Sequence, residues 1–158
     1  NALLGFEALD NDLKKNCAFV IVGDGPDYNA LKKRHSSKEV VFLGRKRRDD
    51  AIALMKSFDI YVHSTISGGG LSNSLLEAMG VGSAIVSTKA EGADEVLDIK
   101  SAVMINESTP ALFKKAFERI INDKELREKI RINARNNVRK NFNWDDKIKQ
   151  YVKVLESR

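Results

Sequence analysis

The sequence predicts a three-layer α/β/α fold with a mostly parallel sheet and a helical C-terminal extension. Three observations carry that prediction. Short apolar runs, several of them stopped by glycine, alternate with helical patterns over the first two thirds of the chain. Those runs are apolar without interruption, as strands covered on both faces are. From Pro110 onward the alternation stops, and three helical patterns follow one another with no strand between them. Strands that alternate with helices imply βαβ crossovers, and crossovers imply parallel pairing.

Taken in order, Asn1 to about Lys15 reads as a helix, with Leu3, Leu4, Phe6, Leu9 and Leu13 at helical spacing. Ala18–Val22 is a strand stopped by Gly23, and a helix begins near Pro26, since proline suits a first turn. Val40–Leu43 is the second strand, ended by Gly44. The next helix runs from Asp49, a plausible N-cap, to about Ser57. Asp59–Val62 is the third strand and leads into the loop Ser64–Gly70. A helix from about Ser72 to Met79 is closed by Gly80 and Gly82. Ala84–Val86 is the fourth strand, Ala93–Leu97 a short helix, and Ala102–Ile105 a fifth strand. Pro110–Asn122, Lys124–Asn141 and Asp145–Ser157 are the closing helices, with Asp123 as N-cap of the second. No linker composition or repeat interrupts the chain, so 1–158 reads as a single domain of Rossmann-like type.

Composition narrows the class. Apolar residues make up 42% and charged residues 31% of the 158, which suits a packed core. One cysteine, Cys17, excludes an intrachain disulfide, and a reduced, cytoplasmic setting is the simplest reading. Residues 109–158 carry 14 Lys and Arg against 7 Asp and Glu, so the basic excess is C-terminal. That face is either solvated or a peripheral contact with an anionic membrane surface. The chain opens on Asn1, inside a helical pattern, and reads as part of something longer.

In an open parallel sheet, ligands bind beyond the carboxyl ends of the strands. The glycines gather there: Gly23 and Gly25, then Gly44, then Gly68, Gly69 and Gly70. Glycine admits close backbone approach, and the Gly68–Gly70 loop opens into the helix at Ser72, whose free N–H groups suit a phosphate. A plain tight turn is the other reading of that loop. Glu77 lies five residues beyond Ser72, roughly 7–8 Å along a helix axis at 1.5 Å per residue. Its carboxylate can accept from two vicinal hydroxyls, or it can simply answer the helix dipole. Gly23-Asp24-Gly25-Pro26 is not the dinucleotide fingerprint, because Tyr28 stands where its third glycine belongs. A nucleic-acid module has only the basic helices in its favour.

The ordered blocks VIVGDGPDYNALKK, VVFLGRK, DIYVHSTISGGGLSNSLLEAMGVGSAIVST, GADEV and FNW resemble the C-terminal, donor-binding half of family 4 (group 1) retaining glycosyltransferases of GT-B fold. The likeness runs from about Leu3 to Trp144. It implies a nucleotide-diphospho-sugar donor of UDP or GDP type and transfer of a hexose-type sugar with retention, without a metal or other cofactor. It implies that Glu77 holds the ribose hydroxyls and that the amides around Gly70, Leu71 and Ser72 hold the diphosphate. Gly23 and Gly25 would line the cleft, and Arg45 would follow the strand that meets the base. Two departures stand out. The partner glutamate of the family's E-x7-E pattern falls on Gly69, and no acidic residue occurs from Ile60 to Leu76. The basic pair that clamps the diphosphate belongs to a strand before Asn1, and the acceptor domain also lies outside this chain. The resemblance therefore allows a catalytically degenerate sugar-nucleotide binder as well as an enzyme, and it makes this fragment inactive by itself.

Among other residues, His63 and His35 read as structural or incidental, and Cys17 as a small buried residue. The run Arg45–Arg48 either lends positive potential to the cleft or is a solvated loop. Glu95 has no assignable mechanism. Phe142 and Trp144 are expected to pack the last helix onto the core.

Overall fold

A computed structural model describes residues 1–66, 70–90 and 92–157. Strands β1 (Phe19–Val22) and β2 (Val40–Gly44) pair in parallel. Strands β3 (Ile60–His63), β4 (Ala84–Thr88) and β5 (Val103–Ile105) form a second parallel sheet in that order. Every observed pairing is parallel, as the continuous apolar runs require. The division into two sheets was not legible in the sequence; β1 and β2 are both edges of the first, and β3 and β5 are the edges of the second, with β4 central. β1 is half-buried up to the exposed Val22 and β3 half-buried up to the buried His63, whereas β4 is buried along its whole length.

Helices cover both faces. On one side, α1 (Ala2–Glu7) and α6 (Pro110–Asn122) pack on a cluster that includes Phe6, Phe42, Val86, Val103, Phe113 and Phe117. On the other, α5 (Asn73–Val81) and α7 (Lys124–Asn141) pack on Leu75, Met79, Ile85, Leu97 and Ala134. Along β4 the faces alternate, Ala84 and Val86 joining the first cluster and Ile85 the second. Full burial of a side chain such as Phe113 stabilises the fold by about 1.5–3 kcal/mol.

Local sequence explains the helix ends. Thr109 caps α6 by accepting from the Leu112 amide, and Pro110 occupies its first turn. Asp123 caps α7 by accepting from the Leu126 amide at 2.8 Å. At α5, Ser72 caps the start, and Gly82, at φ 83°, supplies the left-handed turn that ends it. The basic residues of α7 then serve the fold directly. Arg131 donates to the Gly82 carbonyl at 2.7 Å, Arg135 to the Gly80 carbonyl, and Arg127 to the carbonyls of Ile120 and Ile121. Part of the C-terminal positive charge is thus spent on carbonyls left over at helix ends, where cations are favoured.

Several sequence expectations need correction. The opening helix is two, α1 and α2 (Asn11–Lys14), broken at Ala8–Asp10. Pro26 precedes α3 (Tyr28–His35) rather than starting it, and α4 (Arg48–Lys56) follows Arg47, with Asp49 and Asp50 inside its first turn. The expected helix at Ala93–Leu97 is absent: residues 92–96 form turns and Leu97 lies beyond them. His35 is not a free surface residue, because its Nδ1 lies 2.9 Å from Glu7 Oε1 and ties α3 to α1. Cys17 is only half-buried, though burial still pushes its thiol above the usual range. Phe142 does pack on the second cluster, but Trp144 is 75% exposed, and α8 (Trp144–Glu156) contains no buried residue. Among the described residues, no helix is long and apolar enough to cross a membrane.

The contact between α1 and α6 depends on Gly5. A Cβ there would lie 2.5 Å from the Phe113 Cβ and 2.8 Å from the Pro110 carbonyl oxygen. Gly5→Ala is expected to destabilise the protein by about 1–3 kcal/mol through overpacking, measured as a lowered denaturation midpoint at unchanged slope. Gly80→Ala is the control: a Cβ there meets nothing within 4 Å, and the loss of glycine from a helix favours folding slightly.

Candidate functional site

Because the strands of each sheet run parallel, their carboxyl ends share an edge, and the segments that follow them build the site. After β1, Gly23 adopts φ 142°, and its N–H donates to the Gly44 carbonyl at 2.9 Å. That bond holds the glycine turns after β1 and β2 side by side. The Gly25 carbonyl accepts from the Tyr28 amide and turns the chain into α3. Gly44 has φ 67°, and Arg45 beyond it is exposed.

After β3, the chain passes through Ser64–Ile66 and then resumes at Gly70, which adopts φ 61° and delivers Leu71 and Ser72 to α5. Gly68 and Gly69, the latter at the position of the expected sugar-contacting carboxylate, lie outside the described residues. The amides of Asn73 and Ser74 precede the first intrahelical bond of α5 and are available to an acceptor by helix geometry. A chain of hydroxyls lies on this turn: Tyr61 donates to Ser74 at 2.8 Å, and Ser74 meets Ser72 at 2.9 Å. Burial and the nearby Glu77 charge push the Tyr61 phenol above its usual range, so it remains a donor at neutral pH.

Glu77 stands one and a half turns into α5, its side chain 22% exposed. Its Oε1 accepts a hydrogen bond from Arg48 Nε at 2.8 Å, and Arg48 Nη2 lies 2.7 Å from the same oxygen as an ion-pair contact. Arg48 opens α4, so this pair ties the segment after β2 to the helix after β3. The sequence placed Arg48 in a run of four basic residues but offered no sign of that partner.

Two further features escaped the sequence reading. Gly92, at φ 84°, lies so close to the loop that a Cβ would sit 2.4 Å from the Gly70 carbonyl carbon and 2.7 Å from the Leu71 amide nitrogen. The segment after β4 therefore buttresses the turn into α5, and only glycine fits. The second feature is a buried polar network under the same loop. Ser87 gives its hydroxyl proton to the Thr88 carbonyl, so it must accept from His63 Nδ1 at 3.2 Å. His63 Nε2 is then the acceptor for the Thr65 hydroxyl at 3.2 Å, while Thr88 donates to the Thr65 carbonyl. The available signal was three polar residues, His63, Ser87 and Thr88, at the ends of apolar strands. His63 is thus structural, as expected, and it is specifically a neutral pin between β4 and the Ser64–Ile66 segment.

The model of the family described as glycosyl transferases group 1 matches residues 1–137. An uncharacterized glycosyltransferase of Methanocaldococcus jannaschii is 38% identical over 99% of this chain and 41% of its own length. The chain spans about two fifths of the length of the curated relatives it matches. Among solved structures, Anabaena HepE in complex with UDP superposes with a TM-score of 0.84 at 21% identity, over 99% of this chain and 44% of that one. The C-terminal domain of a group 1 glycosyl transferase from Francisella tularensis superposes with a TM-score of 0.75 at 19% identity, over 90% of this chain and 77% of that one. These likenesses establish the Rossmann-like half as the fold.

The His63 network sets a pH dependence. Burial lowers the imidazole value below its ordinary 6.5. As pH falls, the unfolded chain therefore takes up a proton before the folded one does. Stability is complete above about pH 6.5 and is lost progressively below it, until the folded state also protonates. Denaturation midpoints followed from pH 8 to pH 5 are expected to fall, and His63→Gln, which does not titrate, should flatten that part of the curve.

Proposed function

The chain belongs to the group 1 glycosyl transferases, and on that premise we propose that it binds the nucleotide-diphospho-sugar donor for a transferase whose acceptor is read by residues outside this chain. The observation that carries the proposal is α5. It is entered through a left-handed glycine, capped by Ser72, and carries a half-buried carboxylate one and a half turns later. In this reading the amides around Gly70, Leu71 and Ser72 and the start of α5 meet the diphosphate. Glu77 Oε2, roughly 7–8 Å further along the axis, accepts from the ribose hydroxyls. Gly23 and Gly25 line the cleft, and Arg45 stands beside the base.

The chemistry is then electrostatic. As the glycosidic bond to the donor breaks, negative charge develops on the leaving diphosphate. Preorganised N–H groups stabilise that charge more in the transition state than in the ground state. The reaction we propose retains configuration, transfers a hexose-type sugar and requires no resident metal. HepE was solved with UDP and with UDP-glucose, which favours UDP over GDP as the first donor to test.

Gly69 favours a second reading, a donor-binding domain that has lost turnover, since the resemblance places a sugar-contacting glutamate there. Two measurements decide. In an NMR titration of this chain with UDP, GDP and ADP, amide shifts are expected at Gly23, Gly25, Arg45 and Gly70–Glu77, with binding weakened at least tenfold in Glu77→Ala. No shift with any nucleotide at millimolar concentration would overturn the donor reading for this chain. In the full-length protein, a gain in turnover on Gly69→Glu would identify a degenerate site, and a loss would show that the glycine belongs to a working one.

A further inference from the structure

We propose that Arg48 is the positioning residue for Glu77 and makes the site selective for a ribonucleotide, an inference that rests on the donor reading above. The geometry is specific. Both Arg48 nitrogens that reach Glu77 converge on the same oxygen, Oε1. Among the described residues, Oε2 has no hydrogen-bond partner, so its lone pairs are free for a ligand. Anchored at Oε1 by the Nε hydrogen bond and the adjacent Nη2 contact of a planar guanidinium, the carboxylate has less freedom to swing Oε2 than it would beside the mobile ammonium of a lysine.

The pair is poorly suited to a purely stabilising role. The Arg48 side chain is 77% exposed, and ion pairs in that setting add little to stability. It also joins two segments that the strands do not join, since α4 follows β2 of one sheet and α5 precedes β4 of the other. Glu77 gains a fixed orientation from this link, and its charge is kept at the edge where the glycine turns converge. Two vicinal hydroxyls need an acceptor of defined direction, so the benefit falls on ligands that carry both. A ligand without the 2′-hydroxyl makes only part of that contact and depends less on Arg48.

Affinities of the full-length protein for UDP and for 2′-deoxy-UDP test this, in the wild type, Arg48→Ala, Arg48→Lys, Glu77→Ala and the Arg48→Ala/Glu77→Ala double variant. The wild type is expected to prefer UDP at least tenfold. Arg48→Ala should bring that preference down towards the value of Glu77→Ala, and Arg48→Lys, which keeps the charge but not the fork, should restore less than half of it on a logarithmic scale. The double variant should be no worse than Glu77→Ala. If Arg48→Ala weakens both nucleotides equally and leaves the preference intact, Arg48 is merely structural and the inference is overturned while the donor reading stands. If the wild type binds neither nucleotide, or Glu77→Ala changes nothing, the donor reading fails and the inference fails with it.

Discussion

Burial of β4 on both faces is the constraint on which the other elements depend. All five of its residues are buried, from Ala84 to Thr88. An apolar strand hidden on both sides needs helices on both sides, and the parallel pairings with β3 and β5 need crossovers to reach them. α5 provides one cover on the way into β4, and α6, which follows β5, provides part of the other. The same strand ends in Ser87 and Thr88, whose hydroxyls hold His63 and Thr65. The core therefore reaches up to the base of the loop that feeds α5. Rigidity at the site is inherited from the strand beneath it.

Charge is arranged around α5 with the same economy. Arg131 and Arg135 satisfy carbonyls at its C-terminal end, and Gly82 closes the turn there. At the opposite end the Ser72 hydroxyl accepts from the Leu75 amide, and the amides of Asn73 and Ser74 precede any intrahelical partner. The end that is cationic by its dipole is left open to an anion, and the end that is anionic is neutralised by α7. This division also revises the meaning of the basic C-terminal segment. Several of its arginines fasten helices to one another and do not form a free electrostatic surface.

The carboxyl edge is assembled from four separate stretches of chain, and each of its three meeting points has its own physical reason. Gly23 and Gly44 are joined by a backbone hydrogen bond. Gly92 touches the Gly70–Leu71 peptide at a distance that excludes any side chain. Arg48 and Glu77 link α4 to α5 through a hydrogen-bonded ion pair. Family membership and the proposed donor role agree with this edge, because a diphosphate requires close amides and a ribose requires an oriented carboxylate. The proposed reading leaves the acceptor to residues outside this chain, which spans about two fifths of the length of its curated relatives.

The sequence by itself determined the local elements and the chemistry of the edge. Glycine after an apolar run, serine or aspartate before a helix, and uninterrupted β-branched runs act within a few residues. So the strand positions, the Asp123 cap and the candidacy of Glu77 were legible. The tertiary structure decided which of these local pieces meet. Arg48 lies 29 residues from Glu77, and Gly92 lies 22 positions after Gly70 with no pattern that connects them. The exposure of Trp144 was also undecidable locally, because an amphipathic helix reads the same whether or not the chain supplies a surface to cover it. Sequence periodicity reports which face is apolar. Only the packed chain shows what that face, or a charged group at a strand end, finds opposite it.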